Sequence, residues 1–431
     1  MNILIIGSGG REHALYHKIK TSPKVKKLYI SPGNGLVDPS DRVNLNVEDF
    51  DKIKNFIQAN NVALTVIGPE IPLVNGLRDF LKSELPNHFV FGPDKRSAQL
   101  EGSKAFSDAF MQKANIPHGT SVICTHINDA FEKLTQQSLP VVIKADGLAA
   151  GKGVSIHHDY DSARAKLRDI FENKIFGASG NTVLLQKFLS GTEASLFAIC
   201  NGKEALLLPV ARDYKRALDQ DAGDNTGGMG AFAPATQLSD GQKAFVRKNI
   251  IQPVLNEFGY RGLLYCGLMI ESEKDDGISV VEFNCRFGDP ETQSILPLLY
   301  SDFLDYLLWS DDGFENIPKI QKTGFLHIPY ERGHVVNVVI SAQGYPGIFE
   351  KGIPLQIPQT IPNEVQITGA GIELQNEQLQ STGGRILNII AKSPSLEEAR
   401  LKAYAFIETF LALNSEVRDK LHFRTDIGRI D

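Results

Sequence analysis

The chain has 431 residues, a formal net charge of −6, and 42% hydrophobic and 22% charged residues. This length predicts roughly three domains at about 150 residues each, and the ordinary apolar content predicts a packed, water-soluble protein. The net negative charge argues against a general nucleic-acid binder, because no basic excess exists to neutralise phosphates. The four cysteines form no C-x-x-C pair, and neither a signal peptide nor a membrane helix is recognisable. We therefore expect a cytoplasmic protein without a zinc site or disulfides.

The N-terminal part alternates short, β-rich apolar runs with helical segments. The runs are apolar on both faces, which predicts a parallel sheet covered by helices on each side. The predicted strands are NILIIG (2–7), KLYIS (27–31), ALTVIG (63–68) and HFVFG (88–92), and the predicted helices include Arg11–Lys20 and Leu73–Lys82.

The segment GSGGREHA (7–14) follows the first strand and opens a helix. Amides at such a turn, together with the helix dipole, attract an anion. A dinucleotide site would need G-x-G-x-x-G, and Glu12 replaces the last glycine, where we expect it to block close helix–strand approach. In addition, SPGNG (31–35) replaces the acid that would hold a ribose hydroxyl, so a dehydrogenase is disfavoured.

Three loops are predicted to share one edge of this sheet. In an open parallel sheet, ligands bind at the carboxyl ends of the strands. The loops Gly7–Arg11, Ser31–Gly35 and Gly68–Glu70 all follow predicted strands. They form either a ligand edge or three ordinary connections.

Two lysines stand in positions that favour a phosphate ligand. In EGSKAF (101–106), Lys104 lies at a predicted helix start, where a cation is mildly unfavourable unless it serves a ligand; an exposed lysine is the alternative. In VVIKADGLAAGKGV (141–154), Lys144 ends a buried apolar run and needs a partner, for which an ATP phosphate is favoured over a structural group. The glycines would let the backbone approach phosphate oxygens, although the spacing is not that of a Walker A loop.

Longer strands follow one another in the middle of the chain, which predicts an α+β region of two lobes with antiparallel sheet. These strands are TVLLQKFL (182–189), EASLFAIC (193–200) and EALLLPVA (204–211). The glycine-dense DNTGGMGAF (224–232) is predicted between a strand and a helix, and both a mobile turn and a lid remain open.

The segment VVEFNCRFGDPETQ (280–293), like the Lys144 segment, strongly indicates a ligand site. Side chains on a strand alternate faces, so Glu282, Asn284 and Arg286 share one face, while the aromatic and cysteine residues between them form core. Carboxylate and amide oxygens are hard ligands suited to Mg²⁺, which also takes oxygens from substrate phosphates. A solvated strand face is the alternative.

A third unit follows the predicted linker at 324–334. Its predicted strands are VVNVVISA (335–342), VQITGA (365–370) and RILNIIAKS (385–393). A helix begins after Ser395, with Glu398 completing a predicted capping box.

Taken together, these stretches resemble the phosphoribosylamine–glycine ligase (glycinamide ribonucleotide synthetase) family of the ATP-grasp superfamily. The resemblance covers nearly the whole chain. The motifs that carry it are GSGGREHAL, PGN, GPEIPLV, QLEGSKAF, VIKADGLAAGKGV, NTGGMGAF, VEFNCRFGDPETQ, GGRIL (383–387) and FRTDIG (423–428).

The resemblance implies a multidomain α/β and α+β fold. A pre-ATP-grasp, Rossmann-like substrate-binding domain would span 1–102, a two-lobed ATP-grasp domain 103–324 with its small lobe at about 120–190, and a C-terminal α+β domain 325–431. It also implies ligation of glycine to 5-phosphoribosylamine in purine biosynthesis, with ATP consumed and a glycyl phosphate intermediate. A related ligase for another ribonucleotide or carboxylate, and a nucleotide-binding regulator without turnover, are the alternatives.

The resemblance further implies roles for individual residues. ATP would contact Lys104, Lys144, Gly151, Lys152, Gly153, Gln186, Phe188, Leu189 and Glu193. The other substrates would contact Gly9, Gly10, Arg11, Asn34, Gly35, Glu70, Asp213 and Arg286. Catalysis would depend on Lys144, Arg286 and Asp213, and Mg²⁺ or Mn²⁺ would bind Glu282 and Asn284. We expect a monomer that acts on small molecules, without nucleic acid or membrane partners.

Overall fold

The computed structural model describes residues 1–148, 153–235, 238–272, 274–311 and 328–429. The predicted phosphate-loop residues Gly151 and Lys152 and the predicted domain boundary at 324 lie outside the described residues. No helix within the described ranges is both long enough and apolar enough to cross a bilayer.

The strands within the described residues are grouped below into sheets. They are β1 (Asn2–Gly7), β2 (Lys27–Pro32), β3 (Val62–Ile67), β4 (Phe89–Phe91), β5 (Ser121–Cys124), β6 (Val141–Ala145), β7 (Val154–His157), β8 (Val183–Lys187), β9 (Thr192–Asn201), β10 (Ala205–Leu207), β11 (Arg212–Asp213), β12 (Arg216–Leu218), β13 (Ala222–Asn225), β14 (Gly230–Ala233), β15 (Arg261–Ile270), β16 (Ile278–Asn284), β17 (His334–Ala342), β18 (Pro354–Leu355), β19 (Val365–Gly369), β20 (Ile372–Gln375), β21 (Gln378–Ser381), β22 (Arg385–Ser393) and β23 (Leu421–His422).

The α-helices connect and cover these sheets. They are α1 (Gly10–Lys20), α2 (Phe50–Ala59), α3 (Glu70–Asn75), α4 (Leu77–Glu84), α5 (Lys95–Gly102), α6 (Lys104–Lys113), α7 (Ile127–Leu134), α8 (Tyr160–Phe171), α9 (Asp240–Val246), α10 (Gln252–Phe258), α11 (Glu291–Ile295), α12 (Phe303–Trp309) and α13 (Leu396–Leu413).

The N-terminal sheet has the order β2-β1-β3-β4 and is parallel throughout. Alternate residues of β1 enter different cores, with Ile3 and Ile5 on one side and Leu4 and Ile6 on the other. The predicted parallel sheet, covered on both faces, is therefore confirmed. The single helix predicted over 73–82 is wrong, because Gly76 adopts φ +92° and divides it into α3 and α4.

Two antiparallel four-stranded sheets follow, in the orders β5-β8-β6-β7 and β10-β9-β15-β16. Strands β9 and β10 pair as predicted, but β8 belongs to the other sheet. The chain changes sheets at Gly191, where a Cβ would stand 2.4 Å from the carbonyl oxygen of Ile270. A glycine permits this close approach, which apolar periodicity could not reveal.

The C-terminal sheet has the order β11-β14-β17-β22-β19, with β23 also paired to β17. It thus combines strands from before and after residues 312–327. Helix α13 begins as predicted, with Ser395 Oγ accepting from the amide of Glu398. The reciprocal half of the predicted capping box does not form, because Glu398 Oε2 accepts from Ser393 Oγ instead (3.4 Å).

Helix α1 packs against the sheet edge β19 through two histidines. His13 Nδ1 accepts a hydrogen bond from the Gly369 amide (2.9 Å), and the His13 and His17 rings stack with centroids 4.6 Å apart. Burial lowers the pKa of His13 well below its ordinary value and, with the nearby Lys20 charge, lowers the pKa of His17 to about 4. Both side chains are therefore neutral in the folded protein at neutral pH.

We expect the thermal unfolding midpoint to fall as the pH is lowered from about 6.5 towards about 4. Below about 6.5 the unfolded chain binds protons at these histidines while the folded protein does not, so unfolding is favoured. Scanning calorimetry of a His17→Gln variant should show a shallower dependence over this window. His158→Gln changes an exposed histidine and is the control. Identical slopes for His17→Gln and the parent protein would contradict the assignment.

Candidate active site

The three predicted loops do meet at the carboxyl edge of the N-terminal sheet. The Gly33 amide donates to the Gly7 carbonyl (3.1 Å), and the Gly68 amide donates to the Ile6 carbonyl (3.0 Å). Glu12 lies between the loops, since a Cβ on Gly7 or Gly68 would stand within 2.4 Å of its side chain. The expectation that Glu12 blocks close approach is wrong, because these two glycines provide the space for its buried carboxylate.

Several predicted substrate residues at this edge are already bonded within the protein. The Gly9 amide donates to Glu12 Oε2 (2.7 Å), and the Gly35 amide donates to the Ile372 carbonyl (2.8 Å). Asn34 Nδ2 donates to the carbonyls of Ser8 (2.9 Å) and Gly369 (2.7 Å). Asn34 and Gly35 therefore tie the edge to the C-terminal strands.

Gly10 lies at the junction of all three parts of the chain. A Cβ on this residue would stand 2.4 Å from Asn388 Nδ2 and 2.6 Å from Gln293 Nε2. Asn388 lies on β22 and Gln293 on α11, so the start of α1 contacts both later parts of the protein. The absence of a side chain at Gly10 thus allows α1 to pack closely against Asn388 and Gln293.

A network of buried charges lies beside this edge. Arg286 NH2 contacts Glu101 Oε1 (2.7 Å), and Arg286 Nε lies 3.5 Å from Glu70 Oε2. Arg11 NH1 donates to the Phe287 carbonyl (3.0 Å), and Arg11 NH2 lies 4.0 Å from the same Glu70 oxygen. Burial opposes charge on Arg286, but Glu101 and Glu70 outweigh it and raise the pKa of Arg286. Its Nε is buried and makes no hydrogen bond to the described residues, although the Glu70 carboxylate lies within ion-pair distance.

Lys144 connects the sheet β5-β8-β6-β7, here called the small sheet, to β16, the strand of the predicted metal ligands. Its Nζ donates to the carbonyl of Val281 (2.9 Å). The register of β15 and β16 shifts between Glu282 and Val280, which leaves Val281 as the extra residue of a β-bulge. Residues 144 and 281 are therefore neighbours, as a shared nucleotide site requires.

The two predicted phosphate lysines are enclosed and bonded to carbonyl oxygens. Lys104 begins α6 after the N-cap Ser103, as predicted, and its Nζ donates to the Gly147 carbonyl (2.7 Å). Burial lowers the pKa of Lys104 and lowers the pKa of Lys144 to about 8, while Glu282 acts in the opposite direction on both.

The predicted metal pair occupies the end of β16. Asn284 Nδ2 donates to Glu282 Oε1 (3.3 Å), and Arg286 NH2 donates to Asn284 Oδ1 (3.4 Å). Burial opposes ionisation of Glu282, but Lys215 and Lys144 outweigh it and lower the pKa of Glu282. The described residues contain no cluster of three or more His, Cys, Asp or Glu side chains that could hold a metal. One carboxylate and one amide fit a hard cation that takes its other oxygens from a phosphate ligand.

An acidic group with a central lysine borders this pair. Lys215 Nζ forms an ion pair with Glu193, and Asp213 lies two residues earlier in the chain. Burial raises the pKa of Asp213 well above its ordinary value, with Lys215 opposing and Glu291 reinforcing the shift. Burial opposes charge on Lys215, but Asp213 and Glu193 outweigh it and raise its pKa. This cluster therefore holds its positive charge on Lys215.

Three family descriptions match consecutive parts of the chain. The N domain of phosphoribosylglycinamide synthetase matches residues 1–101, its ATP-grasp (A) domain matches 102–292, and its C domain matches 335–430. The chain belongs to the phosphoribosylglycinamide synthetase family.

Individual relatives agree with this family. A phosphoribosylamine–glycine ligase of Leptospira interrogans (serogroup Icterohaemorrhagiae, serovar copenhageni) is 41% identical over 439 residues, covering 99% of this chain and 98% of that protein. The crystal structure of phosphoribosylamine–glycine ligase from Thermotoga maritima has a TM-score of 0.78 at 32% identity, covering 99% of this chain and 100% of that one. The biotin carboxylase domain of Hydrogenobacter thermophilus 2-oxoglutarate carboxylase has a TM-score of 0.70 at 14% identity, covering 95% and 90%. The last likeness shows the fold alone, and the predicted multidomain fold with an ATP-grasp domain is confirmed.

The predicted adenine residues lie at the end of β8 and just beyond it. The Gln186 side chain is buried, and its Nε2 donates to the Gly119 carbonyl (3.0 Å), so this side chain points into the protein interior. Phe188 and Leu189 are half-buried just beyond the strand, and Gly153 is buried before β7.

The glycine-dense NTGGMG loop connects two strands, β13 and β14, so the predicted strand-to-helix connection is wrong. The loop is packed: the Gly227 amide donates to Tyr345 Oη (3.0 Å), and a Cβ on Gly228 would stand 2.3 Å from Pro290 Cδ. Bulky neighbours on both sides explain the glycines at these positions.

Sequence reasoning missed Glu101, Lys215 and Glu291 as members of the site. Glu291 accepts from Tyr265 Oη (2.8 Å) and is almost fully buried. Glu101 and Glu291 lie inside quoted motifs, and Lys215 follows Asp213 at the two-residue spacing of one strand face. That spacing was the available signal for Lys215.

Proposed function

We propose that the chain joins glycine to 5-phosphoribosylamine, with ATP converted to ADP and phosphate. Family membership over nearly the whole chain supports this activity. The main structural support for the site is the hydrogen bond from Lys144 to Val281, which is next to Glu282. A glycine carboxylate oxygen would attack the γ-phosphorus and ADP would leave. The substrate amine would then attack the acyl carbon, phosphate would leave and the amine would lose a proton.

The triphosphate would lie between Lys104 and Lys144. Among the described residues both lysines donate to neutral carbonyl oxygens, so no bonded carboxylate competes with an incoming polyanion. Phosphoryl transfer depends mainly on positioning and charge neutralisation, which these groups supply. The loop with Gly151, Lys152 and Gly153 would cover the phosphates, and Gln186, Phe188 and Leu189 would border the adenine.

Glu282 and Asn284 would hold Mg²⁺ or Mn²⁺ through their oxygens. The chemistry that such a cation would supply there is neutralisation of phosphate charge. Glu193 is the proposed ribose ligand, and its ion pair with Lys215 indicates that ATP must compete with that lysine for the carboxylate.

Asp213 would take the ammonium group of glycine, because that cation would offset the burial that opposes ionisation of the Asp213 carboxyl group. Arg286 would bind a carboxylate or phosphate through its guanidinium, in competition with Glu70 and Glu101. Arg11 and Glu70 would border the ribose phosphate with Gly9, Gly10, Asn34 and Gly35. Arg11 would supply positive charge at this edge, although its guanidinium, like Gly9, Asn34 and Gly35, also bonds within the protein, to Glu12 (2.6 Å) and the Phe287 carbonyl (3.0 Å).

The remaining predictions about organisation complete the proposal. The domains would divide at 102 and 324, and the enzyme would act as a cytoplasmic monomer on small molecules. A ligase for another ribonucleotide or carboxylate remains the second candidate because the ATP-grasp fold itself is shared with carboxylases.

ADP release from ATP should require both glycine and phosphoribosylamine, because the second substrate must remove the activated glycyl group for turnover. A coupled ADP assay with single omissions measures this requirement. ADP formed equally well with bicarbonate and no glycine would favour the second candidate. Tight ATP binding without turnover in any mixture would favour a nucleotide-binding regulator.

Glu282→Ala should lower metal-dependent turnover by at least about 100-fold, since loss of a residue that only orients a metal ligand already costs roughly 10–100-fold. Circular dichroism should show an unchanged fold. Glu271→Ala removes an exposed carboxylate near the end of the same sheet and serves as the matched control. Normal turnover of Glu282→Ala at limiting metal concentration would remove this residue from the metal site.

Lys144→Met should weaken binding of an ATP analogue roughly tenfold to 150-fold, since a charge-assisted contact contributes about 1.5–3 kcal/mol. Methionine retains the buried stem and removes the charge. Calorimetric titration measures the affinity, and Lys133→Met, in a half-buried pair with Asp129 on α7, is the control. An unchanged affinity would leave Lys144 as a structural link to Val281.

A further inference from the structure

The segment 212–216 presents two faces to different parts of the protein. Lys215 and Asp213 belong to the acidic cluster of the site. Tyr214, between them, is buried against the C-terminal segment: its Oη accepts from the Gly428 amide (3.1 Å). The Arg424 guanidinium lies 4.8 Å from the centre of the Tyr214 ring. One short strand segment therefore joins the site to residues 424–428.

The hairpin that follows, β12 to β13, has an unfavourable turn. Gln220 and Asp221 adopt φ values of +58° and +51°, a left-handed conformation that non-glycine residues rarely adopt. Both side chains are exposed, so their packing contributes little to holding the turn. Such a conformation persists only when surrounding contacts impose it.

Those contacts come from the C-terminal segment. Asp426 Oδ2 accepts from the Gln220 amide (2.8 Å), and Asp219 Oδ1 accepts from the Thr425 amide (2.8 Å). Arg424 NH1 donates to Asp221 Oδ1 (2.8 Å).

Arg424 connects both halves of this contact surface. Besides Asp221, its NH1 reaches the Arg216 carbonyl (3.1 Å), and its Nε and NH2 bind the carboxylate of Asp426 (2.8 and 2.6 Å). Arg424 is 1% exposed and is the largest fully buried side chain among the described residues. Several donors in a rigid fork allow one guanidinium to hold these partners simultaneously, which an ammonium cannot do.

We infer that Arg424 is a positioning residue that holds Asp213 and Lys215 in the site by fixing Tyr214 between them and the hairpin beyond them. The inference rests on the proposed function, in which Asp213 binds the glycine ammonium. Arg424 itself contacts neither substrate nor metal in this arrangement. Loss of its contacts should therefore displace the glycine contact while the triphosphate lysines stay in place.

The test compares Arg424→Lys, Asp221→Asn and the control Arg418→Ala, which removes an exposed pair with Glu408 in the same C-terminal region. The Michaelis constant for glycine should rise roughly tenfold in Arg424→Lys, because the group that binds the glycine ammonium would be displaced. A displacement of about 1 Å can lower a reaction rate roughly 100-fold, so a small movement is enough. The constant for ATP should change by less than about twofold. Asp221→Asn should shift the glycine constant in the same direction by less, and Arg418→Ala should shift neither.

Hydrogen exchange of the ligand-free full chain supplies an independent measurement. Amides of residues 214–226 should exchange faster in Arg424→Lys and Asp221→Asn than in the parent protein, with the N-terminal sheet unchanged. A purely structural effect would lower the active fraction and leave the glycine constant unchanged. An unchanged glycine constant and unchanged exchange in both variants would overturn the inference. If the parent protein releases no ADP with glycine and phosphoribosylamine, the proposed function fails, while the exchange measurement still decides whether Arg424 holds the hairpin.

Discussion

The burial of Arg286 is the constraint on which the site depends. A buried guanidinium must be compensated by nearby carboxylates, and removing one partner of such a pair is strongly destabilising. Glu101 on α5 and Glu70 on α3 supply this charge, while Arg286 itself follows β16. The pairing therefore holds the carboxyl edge of the N-terminal sheet against the end of β16, the strand that carries Glu282 and Asn284. Glu101 also accepts from the Cys285 amide (2.8 Å), which orients the backbone from which Arg286 projects.

A second connection brings the small sheet to the same place. The bulge at Val281 frees a carbonyl oxygen, and Lys144 of β6 donates to it. Without the extra residue, this carbonyl would take part in the regular ladder between β15 and β16. The bulge thus links the two antiparallel sheets and places the Lys144 ammonium beside Glu282, whose pKa it helps to lower.

Much of the fold can be predicted from local sequence patterns, whereas the partners of the charged residues cannot. Apolar runs located the N-terminal strands, because burial on both faces leaves a clear signal in the sequence. The alternation after Val281 placed Glu282, Asn284 and Arg286 together because a strand has a two-residue period. Glu101 could not be identified in this way, since its role depends on a partner 185 positions later along the chain, at Arg286. The helix break at Gly76 was missed because it depends on one glycine with a φ of +92°. The space around Glu12 and the change of sheet at Gly191 were missed because they depend on Gly68 and Ile270, which only the tertiary fold brings close.

The three lysines of the site, Lys104, Lys144 and Lys215, differ in the groups to which they are bonded. Lys215 is paired with Glu193 and lies near Asp213, so its charge is already balanced in the ligand-free protein. Lys104 and Lys144 donate to carbonyl oxygens, and burial lowers the pKa of both. A buried ammonium without a bonded carboxylate is costly, and an incoming phosphate would remove that cost. The site is therefore electrostatically divided. Among the described residues, Lys104 and Lys144 have no bonded carboxylate, whereas the charge of Lys215 is bonded to that of Glu193.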